Sequence, residues 1–230
     1  STLQEMVEDQ ELFRYKDFGF MDMNEPYRWI GKKNPEIILA SEKLGHYLFI
    51  KKLADEQGVS FICLKGEPAV ISMEYFSDDL TAKCGGKPLT VFSISDVDPA
   101  GYSIERNLVK GLEKAHQINK VVKLVDLSIY PADLVSLIRY PVVSYERKGD
   151  QVKPLPPATM GQVTKARSWF EEEINDEQLL TEKDKGGGWK VVTIHGIESD
   201  AAERDIIEDR FKAGLNRLLK RKVRAKPAKK

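Results

Sequence analysis

From residue 36 onward the apolar positions alternate between two kinds of run. Glu36–Ala40 (EIILA), Val59–Leu64 (VSFICL), Leu89–Ser95 (LTVFSIS) and Val121–Leu127 (VVKLVDL) are short apolar blocks of the kind that form strands buried on both faces. Between them the spacing becomes helical. Leu44–Glu56 carries Leu44, Tyr47, Leu48, Ile50 and Leu53, and Ile104–Ala115 carries Ile104, Leu108, Leu112 and Ala115. Pro68–Leu80 also reads as a helix, with Pro68 suited to its first turn. Strand and helix alternate, which predicts an α/β fold: a parallel sheet of four strands covered by helices on both faces.

The flanks read differently. Residues 1–35 mix the acids Glu5, Glu8 and Asp9 with an aromatic run from Phe13 to Trp29, which predicts a short helix and an arm packed on something larger. After the fourth strand, Tyr130–Leu134 predicts a turn into a short helix, and Lys153–Pro157 a proline-rich connector. Residues 161–183 look helical, Gly186–Gly188 is a loop, Trp189–Ile194 is a strand, and Asp200–Lys222 is an amphipathic helix. The expected organisation is an arm (1–35), an α/β domain (36–135), a mixed α+β C-terminal extension packed on or next to it (136–222), and a basic tail (223–230).

Composition bounds the class. Of 230 residues, 41% are apolar and 31% charged, which fits a folded protein rather than a disordered chain. No apolar run approaches the roughly 18 residues of a membrane span, and no signal-peptide pattern is present. Two cysteines, Cys63 and Cys84, exclude a disulfide framework or a Cys-rich zinc site and fit a reducing, cytoplasmic setting. Net charge is zero, with 36 basic and 36 acidic residues, which alone argues against a nucleic-acid binder. The zero is uneven: Lys220–Lys230 holds seven basic residues and no acid, so the remainder carries −7. That tail suits either a grip on a DNA backbone or a solubilising end.

The sharpest chemical feature is Ser95-Asp96-Val97-Asp98-Pro99-Ala100-Gly101, where the third predicted strand gives way to a helix. Ligands of open parallel sheets bind at the carboxyl ends of strands, and two carboxylates there suit Mg²⁺. The competing reading is an Asp-rich turn with N-cap duty. Glu42 follows the first strand and would share that edge if the first and third strands are neighbours; the alternative is a helix-dipole role. Lys65-Gly66-Glu67-Pro68 follows the second strand, with Lys65 either a phosphate contact or an exposed turn residue.

This arrangement resembles the Toprim domain of topoisomerases, bacterial primases and certain nucleases, which implies a Rossmann-like parallel four-stranded sheet flanked by helices. That family has a Glu after its first strand and Asp-x-Asp after its third, matched by Glu42 and by Asp96-Val97-Asp98. Within it, the chain is most similar to the topoisomerase VI A subunit and its meiotic double-strand-break relative. Their Lys/Arg-Gly-x-Pro, Asp-x-Asp-Pro-x-Gly and Pro-Ser-Asp-Leu/Ile motifs look like Lys65–Pro68, Asp96–Gly101 and Tyr130–Leu134. A looser likeness links their last acidic segment to Gly196–Ala202. The resemblance covers about 36–220 and is specific over 36–135. It implies Mg²⁺, or Mn²⁺ in its place, on Glu42, Asp96 and Asp98, and metal-dependent DNA cleavage or rearrangement. It also implies a homodimer, an ATPase partner subunit and, in a prokaryote, a nucleoid-associated cytoplasmic location.

One departure matters. The family's cleaving tyrosine lies on a winged-helix domain before the Toprim domain, and only about 35 residues precede the first strand here. The expectation is the metal-binding half of a longer protein, with the tyrosine elsewhere. The alternatives are an endonuclease using metal-bound water, as in SMC-type defence systems, and a non-catalytic module that binds DNA or a partner. A haloacid-dehalogenase-type phosphotransferase is disfavoured, since its Asp-x-Asp sits on the first strand; no G-x-G-x-x-G supports a dinucleotide enzyme. Arg106 and Lys110, on the helix after Asp98, are candidate DNA contacts beside Lys65. His46, four residues after Glu42, reads as a partly exposed helix residue, with a group supporting the metal ligands as the alternative; His195 reads as structural, Glu198 and Asp200 as an exposed turn or a further metal contact, and His116 has no assigned role.

Overall fold

The computed structural model describes residues 2–10, 12–85, 87–116, 123–128, 130–133, 139–201 and 204–224. The chain divides into two units. The first comprises Ser1–Ser95, Ile104–Leu127 and Arg204–Lys230; the second comprises Asp96–Ser103 and Ser128–Glu203.

In the first unit the strands are β1 (Arg28–Trp29), β2 (Asn34–Ser41), β3 (Val59–Cys63), β4 (Thr90–Ile94) and β5 (Lys123–Asp126), in sheet order β1-β3-β2-β4-β5. The last four run parallel, as the apolar blocks predict, and β2 lies at the centre, with Ile37 to Ala40 at most 1% exposed. The sheet has five strands, not four. The added edge strand is antiparallel to β3, pairing Arg28 with Ile62 and Trp29 with Phe61. Two residues are too short a run for periodicity to register. What admits the arm is Gly31: a Cβ there would stand 2.3 Å from the Val59 carbonyl carbon.

The arm then docks through charge. Glu74, 4% exposed, accepts the N–H groups of Tyr15 (3.0 Å) and Lys16 (3.2 Å), and Arg28 pairs with Asp22 (2.7 Å) and Asp79.

The helices of this unit are α1 (Tyr47–Gln57), α2 (Val70–Cys84), the Ile104–His116 part of α3 (Pro99–His116), and α5 (Arg204–Arg224). One face of the sheet, with Ile38, Ala40, Ile62 and Val91, packs on Met73, Phe76 and Leu80 of α2 and Leu108 and Leu112 of α3. By strand alternation Ile37 and Leu39 face the other way. Phe92 meets Phe211 of α5 edge-on, with ring centroids 5.1 Å apart. Pro68 lies before the Ala69 N-cap of α2 rather than in its first turn.

The second unit is an antiparallel sheet of β6 (Tyr140–Lys148), β7 (Gln151–Pro154), β8 (Leu180–Gly186) and β9 (Trp189–Gly196), ordered β7-β6-β9-β8. Helix α4 (Met160–Trp169) covers one face, packing Val163, Ala166 and Trp169 on Val143, Tyr145, Val192 and Ile194. The predicted helix over 161–183 is therefore too long. After α4 one wider turn, Phe170–Ile174, ends at Asn175 in a left-handed conformation (φ 46). Asp176 then caps a new short turn through the Gln178 N–H (3.0 Å). The TEKDKG stretch that follows lacks an apolar period, and it pairs as an edge strand.

Val121, Val122, Leu134 and residues 225–230 of the basic tail lie outside the described residues. Among the described residues no helix is long and apolar enough to cross a membrane.

Candidate functional site

In the first unit, β2 and β4 are neighbours, in register from Ile37 opposite Thr90 to Ser41 opposite Ile94. The ladder continues one step past the strands: the Glu42 N–H donates to the Ile94 carbonyl (3.0 Å), and the Leu64 N–H to Ser41 (2.7 Å). The Gly66 N–H reaches the Glu42 carbonyl (3.4 Å), so the Lys65-Gly66 turn is tied to Glu42. Glu42 thus occupies the carboxyl edge of the sheet, half-buried, on a backbone held from both sides. Lys65 places its ammonium 4.5 Å from the centre of the Tyr27 ring. Arg106 and Lys110 are exposed on α3, one helical turn apart. His46 is buried, against the expectation of an exposed helix residue, because its Nδ1 meets Ser41 Oγ at 2.7 Å. Burial pushes the Cys63 thiol up to about 12, which fits an inert strand residue.

One acid at this edge was not anticipated. Glu105, 5% exposed, accepts from Ser95 Oγ at 2.8 Å. Burial first, then the charge of Asp126 and lastly that of Glu42, push its carboxyl up to about 7 against the opposing pull of the Ser93 and Ser95 hydroxyls. The signal was present in sequence: Glu105 follows Ile104 and precedes Leu108 and Leu112 on the inward stripe of α3, where a charge is out of place.

In the second unit, Val97 is the anchor between the two aspartates. It is 4% exposed and bridges Ile197, giving and taking backbone hydrogen bonds of 2.9 and 3.2 Å. Each flanking carboxylate is gripped by donors. Asp96 Oδ1 accepts from the Ser199 N–H (2.7 Å) and from its hydroxyl (2.8 Å). Asp98 Oδ1 accepts from the Gly101 N–H (2.7 Å), and its Oδ2 from the Tyr140 hydroxyl (2.6 Å). The Gly101 bond is an N-cap, with Pro99 as the first helical residue, so α3 starts five residues before the predicted Ile104. Gly101 itself is dictated by contact: a Cβ would lie 2.2 Å from the Asp96 carbonyl oxygen. The Asp-x-Asp-Pro-x-Gly spacing is therefore a physical unit of cap, helix start and close backbone approach.

Tyr140 is the second residue that sequence reading missed, hidden in a strand that Pro141 obscures. Burial, then its bond to Asp98 and the charges of Asp98, Asp96 and Glu198, push the phenol strongly upward, so it stays protonated. Glu198 thus belongs with the aspartates electrostatically. His195 lies on β9, and burial lowers its basicity.

Among the described residues no group of three or more His, Cys, Asp or Glu is gathered as a metal-binding cluster. In donor chemistry, the carboxylate oxygens of Glu42, Asp96 and Asp98 fit a hard cation such as Mg²⁺. The Ser199 and Tyr140 bonds also resemble the outer hydrogen bonds that orient metal-ligating carboxylates. No protein-family model matches the chain, and no curated protein matches it.

Proposed function

We propose that this chain is the metal-binding part of a Toprim-type DNA-cleaving or DNA-rearranging protein, similar to the topoisomerase VI A subunit. Glu42, Asp96 and Asp98 would hold Mg²⁺, with Mn²⁺ as a substitute. The observation that most supports this reading is the grip on Asp96-Val97-Asp98. A buried valine anchors the segment and protein donors fix both carboxylates. Such preorganisation is what a catalytic carboxylate pair requires.

When bound, Mg²⁺ would stabilise charge on the scissile phosphate and its attacking or leaving oxygen. The chain's own residues supply position. Ser199 holds Asp96, Tyr140 and the start of α3 hold Asp98, and the Lys65-Gly66 turn braces Glu42. Lys65, Arg106 and Lys110 are proposed backbone contacts for DNA, the lysines as point charges and Arg106 through its planar guanidinium. In this reading Tyr140 orients Asp98 through its hydroxyl and is not assigned the attack on phosphorus. That role falls to water, as in an endonuclease, or to a tyrosine of another domain or subunit. A homodimer, an ATPase partner and a nucleoid-associated cytoplasmic location belong to the same proposal.

A second reading, a module that binds DNA or a partner without cutting, draws on the same bonds. Asp98 already caps a helix and Asp96 already satisfies Ser199. Supercoiled plasmid incubated with Mg²⁺ or Mn²⁺ separates the two. Cleavage by the wild type and its loss in Asp96→Ala is the expected result. Full cleavage by Asp96→Ala would sink the catalytic assignment.

A further inference from the structure

Within the second unit a cavity of about 570 Å³ opens beside Asp98. Its size falls in the range of small-molecule sites. Its wall is apolar and stiff, formed by the proline rings of Pro99, Pro141, Pro156 and Pro157. Polar groups are few: one carboxylate, Asp98, one ammonium, Lys165, and the amide of Gln162 among them. Lys165 is exposed, and among the described residues no carboxylate lies within ion-pair distance of it. Arg167, two residues on, is engaged with Glu171.

We propose that this cavity is a subsite for one nucleotide of a single-stranded DNA segment. The base would lie on the proline wall, Gln162 would meet its polar edge, and Lys165 would hold a flanking phosphate. The inference rests on the proposed function for its choice of ligand, and deepens it by naming a strand-melted substrate. Charge decides the occupant. An apolar peptide would leave Lys165 without a counter-charge. A nucleotide offers an apolar face and an anion together, the combination by which single strands are held.

The test measures binding of a short fluorescein-labelled single-stranded oligonucleotide by anisotropy in EDTA, apart from any cleavage. The variants are Lys165→Glu, Ala158→Trp, which fills the cavity, and Lys183→Glu, which makes the same charge change on exposed β8. Melting curves establish that each variant folds. Lys165→Glu should weaken binding about tenfold, against less than about threefold for Lys183→Glu, since one phosphate contact matters more than a distant charge. An abasic strand should lose affinity for the wild type and little for a folded Ala158→Trp. Absence of wild-type binding, or equal losses in the two lysine variants, would overturn the subsite. Plasmid cleavage keeps the two ideas apart. Lysine-specific binding by a protein that never cuts leaves the subsite standing and removes the catalytic reading. Metal-dependent cutting with indifferent lysine variants does the reverse.

Discussion

The two units treat their acids in opposite ways. In the second unit, Asp96 and Asp98 are half-buried and ringed by donors: an N–H and a hydroxyl for one, an N–H and a phenol for the other. Such bonds fix the position of each carboxylate. In the first unit, Glu105 is more deeply buried. Two serine hydroxyls face it, but so do the charges of Asp126 and Glu42, and its proton is retained up to about 7. The contrast teaches that burial alone does not assign an acid its role; the donors around it do. The aspartates are held still, as the proposed metal ligands must be. Glu105 is built to change charge near neutrality.

Four substitutions test that contrast, from the largest expected effect down. Asp96→Ala should cut metal-dependent plasmid cleavage at least about a hundredfold, read as initial nicking rate, since it removes a charge proposed to act on the reacting phosphate. Gly101→Ala should destabilise the fold by about 3 kcal/mol in urea unfolding, because the Cβ has no room beside the Asp96 carbonyl. Loss of stability by less than a few tenths of that would show that the motif's glycine is not structural.

Glu105→Gln addresses the other acid. Its folded pKa is raised, so the protonated form favours folding; that contribution is complete below the ordinary carboxylate range and is lost as pH rises through about 7. Without divalent ions, wild-type stability should fall by roughly 2–3 kcal/mol between pH 5 and pH 8, and the variant's curve should be flatter by that amount. Parallel curves would remove Glu105 from the account. Tyr140→Phe has the smallest effect, about 1–2 kcal/mol of stability, because one hydrogen bond to a charged group is lost while packing is kept. A substantially larger loss would mean that Tyr140 packs the unit rather than orienting Asp98.

The parallel sheet was legible because each of its strands is an apolar block and each linking helix an amphipathic one. Ile37 to Ala40, Phe61 to Cys63 and Val91 to Ile94 could hardly be placed elsewhere. The antiparallel sheet was not. In β6 only Val143 and Tyr145 are buried, and Pro141 contradicts a strand. In β8 no residue is fully buried, so nothing in the hydropathy pattern marks it. The candidate site divides the same way. Glu42 and Asp96-x-Asp98 could be read because they follow legible strands. Tyr140, Ser199 and Glu105 act through contacts 42, 103 and 10 residues away in sequence, which spacing does not reveal.

The central proposal is that Glu42, Asp96 and Asp98 serve as ligands for divalent metal, one ion or two. Titration calorimetry with Mn²⁺ and with Mg²⁺ on the wild type, Glu42→Gln and Asp98→Asn tests it directly, with no need of DNA or a partner. The account predicts uptake of one or two ions by the wild type and affinity at least about tenfold weaker in each variant. A wild type that takes up no ion, or a Glu42→Gln protein that binds as tightly as the wild type, would contradict it.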